Sequence, residues 1–284
     1  MAIHGLTLIG ESINDSVPST HALYENNDME GIIALAKSQM AGGATYIDVN
    51  VGLQPPARMA EVIARVQASI PAPLAVDSPD FETAKAGLEA LAANAPTPIL
   101  NSISPLRMEM FDLLRIRPFR PILLISEGLK DGQAAACVTA EETINAAQLL
   151  LTRAREAGVA PSDCIFDPGI APIATDMEGN LKRLMTALRL MHEDPFFAGV
   201  HVSVGLSNFT VMLPPRRANG ELVKAPLESA FLTRAMPLGL DHVIGSVKRN
   251  YEKLPEGHPA LVCFDECLAA DNFDALVRVQ EFYS

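Results

Sequence analysis

Short apolar runs alternate with longer amphipathic stretches along almost the whole chain. The runs are Leu6–Ile13, Thr45–Val51, Pro73–Val76, Pro98–Ile103, Pro121–Ser126, Cys164–Asp167, Val200–Leu206 and His242–Val247. They are nearly continuous in aliphatic residues, the pattern of strands covered on both faces. Helical spacing marks Met29–Ala41, Ala57–Ser69, Phe81–Ala93, Leu106–Arg115, Ala140–Ala157, Glu178–Met191, Leu227–Met236 and Asn272–Tyr283. This is a βα unit repeated throughout. Right-handed crossovers place the helices outside the strands, and repetition to about eight units favours a closed barrel over an open sheet. The pattern therefore predicts an α/β fold, a TIM (β/α)8 barrel, as a single domain over residues 1–284.

Turn residues agree with these boundaries. Gly42-Gly43, Gly158 and Gly239 follow helices, where a left-handed C-cap is wanted. Pro79 and Pro105 stand near helix starts, where a missing N–H costs little. The longest irregular stretch is Phe209–Ala225, between the seventh strand and its helix. Loops of that length in compact domains are usually functional or mobile.

Composition narrows the class. Hydrophobic residues make up 49% of 284, enough for a large core. Mean hydropathy is only +0.18, and no apolar run reaches the ~20 residues that span a bilayer. Met1–Ile13 lacks a basic flank and carries Glu11, unlike a signal peptide. A cytoplasmic location away from membranes is expected. With 22 Lys and Arg against 34 Asp and Glu, the net charge is -12, which argues against non-specific nucleic-acid binding. Cys137, Cys164, Cys263 and Cys267 lack the spacing of a structural zinc site and read as free thiols.

The chemistry lies where polar residues interrupt the strands. Successive runs end in Glu11-Ser12-Ile13-Asn14, Asp48-Val49-Asn50, Asp77-Ser78, Asn101-Ser102, Ser126-Glu127, Asp167-Pro168 and Ser207-Asn208. In a barrel these ends converge on one mouth, where barrel active sites lie. Taken singly, an Asp or Asn there reads as an N-cap or turn residue. Taken together, the carboxylates and amides recur with few cations among them. They make a poor phosphate site, and without histidine a poor metal site. They suit a neutral heterocycle rich in N–H donors, such as a pterin. A carboxylate accepts from both its amino group and its ring N–H, and an Asn both donates and accepts.

These motifs, in this order, resemble the pterin-binding barrels. The resemblance rests on Gly10–Asn14, Tyr46–Gly52, Val76–Ser78, Asn101–Ile103, Phe166–Pro168 and Gly205–Asn208 and covers nearly the whole chain. It is strongest to the methyltetrahydrofolate:corrinoid protein methyltransferases, of which Gly205-Leu206-Ser207-Asn208 is a mark. The dihydropteroate synthases are a sister class, and Asp167-Pro168-Gly169-Ile170 resembles their motif. This chain, however, has Ala171-Pro172-Ile173-Ala174 and Gly245-Ser246-Val247-Lys248-Arg249 where the synthases carry anion ligands.

The methyltransferase resemblance implies methyl transfer between N5 of methyltetrahydrofolate and the cobalt of a corrinoid (cobalamin), in either direction. It implies that Asn208 acts near N5 and favours its protonated form, and that Asp77, Asn101 and Asp167 grip the pterin edge. Asn208, Asp167 and Asp77 are thus the expected catalytic residues. Asp48, Asn50, Ser78 and Gly205 are expected to line the pocket. Glu11 and Asn14 are expected in support or as loop ties. No resident metal is expected. The Asp-x-His-x-x-Gly signature of many corrinoid proteins is missing, so the corrinoid is expected on a partner protein. The loop Phe209–Ala225 would clamp it, with one of Arg216 and Arg217 facing the site. A homodimer is also implied. A pterin-condensing enzyme of the synthase type and a non-catalytic pterin-binding barrel stay open as alternatives.

Overall fold

The computed structural model describes residues 3–284; the first two residues of the expected domain lie outside it. The chain opens with β1 (Thr7–Asn14), α1 (Pro18–Glu25), α2 (Met29–Ala41), β2 (Tyr46–Asn50), α3 (Pro56–Gln67), β3 (Leu74–Asp77), α4 (Phe81–Ala90) and β4 (Ile99–Ile103). A 3-10 segment, Met108–Arg115, leads to β5 (Arg120–Leu124) and a hairpin of β6 (Glu127–Lys130) and β7 (Gln133–Ala136). Then come α5 (Ala140–Glu156), β8 (Ile165–Asp167), α6 (Asn180–Glu193), β9 (His201–Val202) and α7 (Leu206–Phe209). The chain closes with α8 (Lys224–Ala235), β10 (His242–Gly245), α9 (Pro259–Ala269) and α10 (Asn272–Tyr283).

Eight parallel strands run in the order β10-β1-β2-β3-β4-β5-β8-β9. The ring closes between the two outermost strands. Asp241 N–H donates to Val202 O (3.2 Å) and Ile244 N–H to Val204 O (3.0 Å), and Gly205 bridges Ile244 in parallel. The expected (β/α)8 barrel is what forms.

Strand alternation separates two apolar layers. Ile9, Ala75, Ile99, Ile122, Ile165 and Ile244 meet inside the barrel as one buried cluster. Their odd-step neighbours Ile47, Val76, Leu100, Leu123, Phe166 and Val243 face the helices in a second, larger core. Successive side chains must point to opposite faces. Burying an Ile fully contributes roughly 1.5–3 kcal/mol, so the register that keeps both layers dry is strongly preferred.

Helix boundaries follow capping chemistry. Asp28 accepts from Gly31 N–H at the start of α2, and Asp80 from Thr83 N–H at α4. Thr139 and Glu142 form a capping box at α5. Gly43, Gly158 and Gly239 take positive φ after their helices, as expected. Gly42 does not: its φ is -77°, and a Cβ there would press on Val247.

Some expectations need correction. The run Val200–Leu206 supplies only a two-residue strand before the chain turns into α7. A short apolar run carries no period that tells strand from helix. Leu106–Arg115 is a 3-10 segment beginning at Met108. The sequence pattern does not predict α1, α7, α9 or the β6–β7 hairpin. The hairpin had a local signal, since Asp131-Gly132 takes positive φ at both positions, as a tight two-residue turn requires.

Candidate functional site

The inward-facing series of each strand changes character toward the mouth. Two residues beyond the isoleucine layer stand Glu11 on β1, Asp77 on β3, Asn101 on β4 and Asp167 on β8, and β2 contributes Asp48 and Asn50. The alternation that fills the barrel with isoleucine thus delivers a ring of carboxylates and amides one layer higher.

Neighbouring members of the ring touch. Asp77 pairs in register with Asn101. Asn50 Nδ2 donates to Asp77 Oδ2 over 2.9 Å, while its own Oδ1 accepts from Gly52 N–H at 2.7 Å. Asp48 is buried between them, and its Oδ1 has no hydrogen-bond partner. Burial, reinforced by the Asp77 charge, pushes the Asp48 carboxyl well above the usual range, against the opposing influence of Asn101. Burial likewise pushes Asp77 up to about 6 against the bonds from Asn50 and Asp48.

Asp167 is set by a separate brace. Its Oδ1 accepts from Gly169 N–H at 2.8 Å, and Arg183 Nη2 donates to Gly169 O at 3.3 Å. Arg183 is itself buried and held by Thr143 through Nη1 at 2.9 Å. Burial still dominates and lifts Asp167 to about 6. Beside this turn opens a cleft of about 470 Å3, lined in part by Ser126, Glu127, Ile170, Asn180 and Arg183.

Asn208 reaches the mouth on α7, one turn of helix whose two flanks are anchored. Leu206 and Phe209 are buried, and Phe209 packs against Phe231 of α8 and Phe264 of α9 with ring centroids 5.6 and 6.1 Å apart. Ser207 Oγ donates to Glu11 Oε2 at 3.0 Å. Thr210 donates to the fully buried Glu228, which also meets Arg249 Nε at 3.2 Å. Burial raises Glu11, and lifts Glu228 to about 7. Asn208 between these anchors is exposed. Gly205 has a local reason to be glycine, since a Cβ there would lie 2.9 Å from Asn208 Nδ2.

Asp48, Asn50, Asp77 and Asn101 therefore come together in one cluster, with Asp167 in the same inward layer and Asn208 tied to it through Glu11. Ser78 is different: its hydroxyl is buried and accepts from Asp80 N–H at 3.1 Å, so it shapes the turn into α4. Asn14 accepts from Ser16 N–H and serves its own loop. Arg216 donates to Gly220 O within the loop, and Arg217 stacks over Phe282 at 3.9 Å. The braces Arg183, Glu228 and Arg249 escaped the sequence reading, because each lies on a helix or loop with no spacing that ties it to the strands it supports.

The chain is thus a parallel eight-stranded barrel with carboxylates and amides gathered at its mouth. The comparisons agree: the profile of the pterin binding enzyme family matches residues 13–245, and the chain belongs to that family. It is 25% identical over 244 residues to the methylcorrinoid:tetrahydrofolate methyltransferase of Eubacterium limosum, covering 84% of each chain. Among solved structures it resembles the dihydropteroate synthase of Yersinia pestis in a sulfonamide drug complex. That match has a TM-score of 0.61 and 16% identity, over 93% of this chain and 94% of the other. The dihydropteroate synthase of Stenotrophomonas maltophilia matches with a TM-score of 0.56 and 20% identity, over 84% and 86% of the two chains. These two likenesses speak for the fold. Among the described residues no helix is long and apolar enough to cross a membrane.

Proposed function

We propose that this protein binds a reduced folate by its pterin ring and transfers a methyl group between N5 and the cobalt of a corrinoid carried by a partner protein. The observation that carries the reading is the ring of Asp48, Asn50, Asp77, Asn101 and Asp167, with an unpartnered buried carboxylate oxygen on Asp48. A buried acceptor without a donor costs free energy, and the N–H edge of a pterin supplies donors. The resemblance at Gly205–Asn208 and the likeness to the Eubacterium limosum enzyme favour the methyltransferase branch. The name of that relative puts methylcorrinoid first, which favours the corrinoid as methyl donor.

In this reading Asp77 and Asp167 accept from the pterin edge, and Asn101 reads the adjoining ring atoms. Asn208 hydrogen-bonds at N5. Its amide can accept from a protonated N5 or donate to its lone pair, so it stabilises the charge that N5 gains or loses as the methyl moves. Such help typically contributes 10²–10⁴-fold. The corrinoid supplies a cobalt that takes or gives the methyl. Its carrier would dock on the mouth rim, where Leu53, Met177, Val211, Met212 and Leu222 are exposed on the segments after β2, β8 and α7. A homodimer in the cytoplasm belongs to the same proposal.

One rival is a condensation of a pterin pyrophosphate with an aromatic amine, since Asp167-Pro168-Gly169-Ile170 resembles the synthase motif. Against it, Arg249 points to buried Glu228 instead of standing free for an anion. The test is spectral. The protein is mixed with Co(I) cobalamin and methyltetrahydrofolate, and separately with methylcobalamin and tetrahydrofolate. Methyl exchange in either direction is expected. No change in either mixture, with condensation of pterin pyrophosphate and 4-aminobenzoate instead, would overturn the reading.

A further inference from the structure

The end of the barrel opposite the mouth carries a polar cluster of its own. His201 opens β9, His242 opens β10, and Asp241 directly precedes it. His201 Nδ1 lies 2.6 Å from Asp241 Oδ2, and His242 Nδ1 lies 2.7 Å from Asp241 Oδ1. The imidazoles meet edge to face with centroids 4.7 Å apart. One ligand atom from each of the three residues lies within 4.8 Å of the other two. We propose that His201, Asp241 and His242 bind a divalent transition metal, with Zn2+ the best match, across the seam where the barrel closes.

The donor set is the first argument. Two imidazoles and one carboxylate are ligands that zinc takes in three-ligand sites with water in the fourth position. Tetrahedral binding at 2.0–2.1 Å would space the ligand atoms about 3.3 Å apart. The two hydrogen-bond separations are shorter than that and the ligand atoms all lie within 4.8 Å of one another, so the ion would be seated by rotation of these side chains. The mobile partners are the right ones: the His242 side chain is 4% exposed and fixed, while His201 and Asp241 are 30% and 34% exposed.

Charge sets the class of ion. Arg120 opens β5 at this end and faces His242, with its Nη1 donating to Tyr46 Oη at 3.3 Å. A hard ion held mainly by charge, such as Mg2+ or Ca2+, wants all-oxygen ligands and would feel that repulsion without compensation. An ion that bonds strongly to imidazole nitrogen is less affected.

Position gives the site a consequence. β9 has two residues, and few backbone bonds join it to β10. Asp241 already reaches across by accepting from Val202 N–H at 3.2 Å. An ion here would stitch β9 to β10, the seventh and eighth strands of the ring, and binding to the folded state alone raises stability. The site is remote from the pterin mouth, so the inference stands apart from the methyl-transfer reading.

The test uses tag-free, chelator-stripped full-length protein. Zn2+ is titrated by calorimetry, Co2+ by visible absorption, and melting is recorded with and without Zn2+. Saturable binding of one equivalent is expected, with a raised melting temperature. The Co2+ complex should show d–d bands without a near-ultraviolet thiolate band. His201→Ala and Asp241→Asn should each weaken binding by about tenfold or more, as loss of ligands or their supports does. Cys263→Ser should leave it unchanged. Absence of saturable binding to the wild-type protein would overturn the proposal and leave the cluster a hydrogen-bonded clip. So would a thiolate band, or affinity that survives both substitutions.

Discussion

Ser207 Oγ donates to Glu11 Oε2 over 3.0 Å, and this bond joins residues 196 positions apart in the chain. It ties the turn that presents Asn208 to the first barrel strand. Glu11→Ala should loosen that turn and slow methyl transfer by about tenfold, since misplacing a reacting group by around an ångström costs rate steeply. Folate affinity should change little, because the groups proposed to hold the pterin edge stand on other strands. Glu11→Gln keeps an acceptor and should recover most of the rate. Single-turnover kinetics with calorimetric binding separates the two effects.

Asn208 is exposed and contributes little to packing. Asn208→Ala should therefore melt within a degree or two of wild type while transfer falls by about 10²–10⁴-fold. Wild-type rates in this variant would remove Asn208 from the proposed role.

Gly205 tests the same amide by crowding it. A Cβ at this position would stand 2.9 Å from Asn208 Nδ2, the far end of a movable side chain. Gly205→Ala should push the amide aside, lowering kcat with a loss of stability under about 1 kcal/mol, as for substitutions away from core packing. Circular dichroism melting and steady-state kinetics together check the pair of outcomes.

Asp167 predicts an opposition between stability and binding. Burial raises its folded pKa to about 6, above the ordinary 3.8. The folded state thus binds the proton more tightly, and stability is lost as pH rises from about 4 through about 6. At pH 8 the shift corresponds to a destabilisation of up to about 3 kcal/mol. Asp167→Asn keeps the acceptor for Gly169 N–H and should melt higher than wild type at pH 8, with the gap closing toward pH 4. In the proposed reading the ionised form is the one that would accept from the pterin N–H groups. Wild-type pterin affinity should therefore rise between pH 5 and 7, and Asp167→Asn should bind more weakly above pH 7. A variant that melts no higher at pH 8 would show that burial does not strain this carboxylate.

Much of this site is legible in the sequence. The alternation of apolar runs and amphipathic stretches sets a parallel βα architecture with every strand covered on both faces, and its repetition to about eight units favours the closed barrel over an open sheet. Asp48, Asn50, Asp77, Asn101 and Asp167 stand at the ends of such runs, so their place at one mouth follows from the parallel repeat. The bounds of α2 and α10 could also be read directly. What the chain order could not supply are relationships between distant segments. That Asp48 is buried with an unpartnered oxygen, that Ser78 turns to Asp80, and that Arg183 braces Asp167 through Gly169 depend on which side chains meet after the ring closes. The two-residue β9 and the turn at α7 were likewise decided in three dimensions. A uniform apolar run fits strand or helix equally well, and there the anchoring of Phe209 between Phe231 and Phe264 chose the helix. Local pattern settles which face of an element is buried; only closure of the barrel settles which polar groups share that burial, and so which carboxylates are left waiting for a donor.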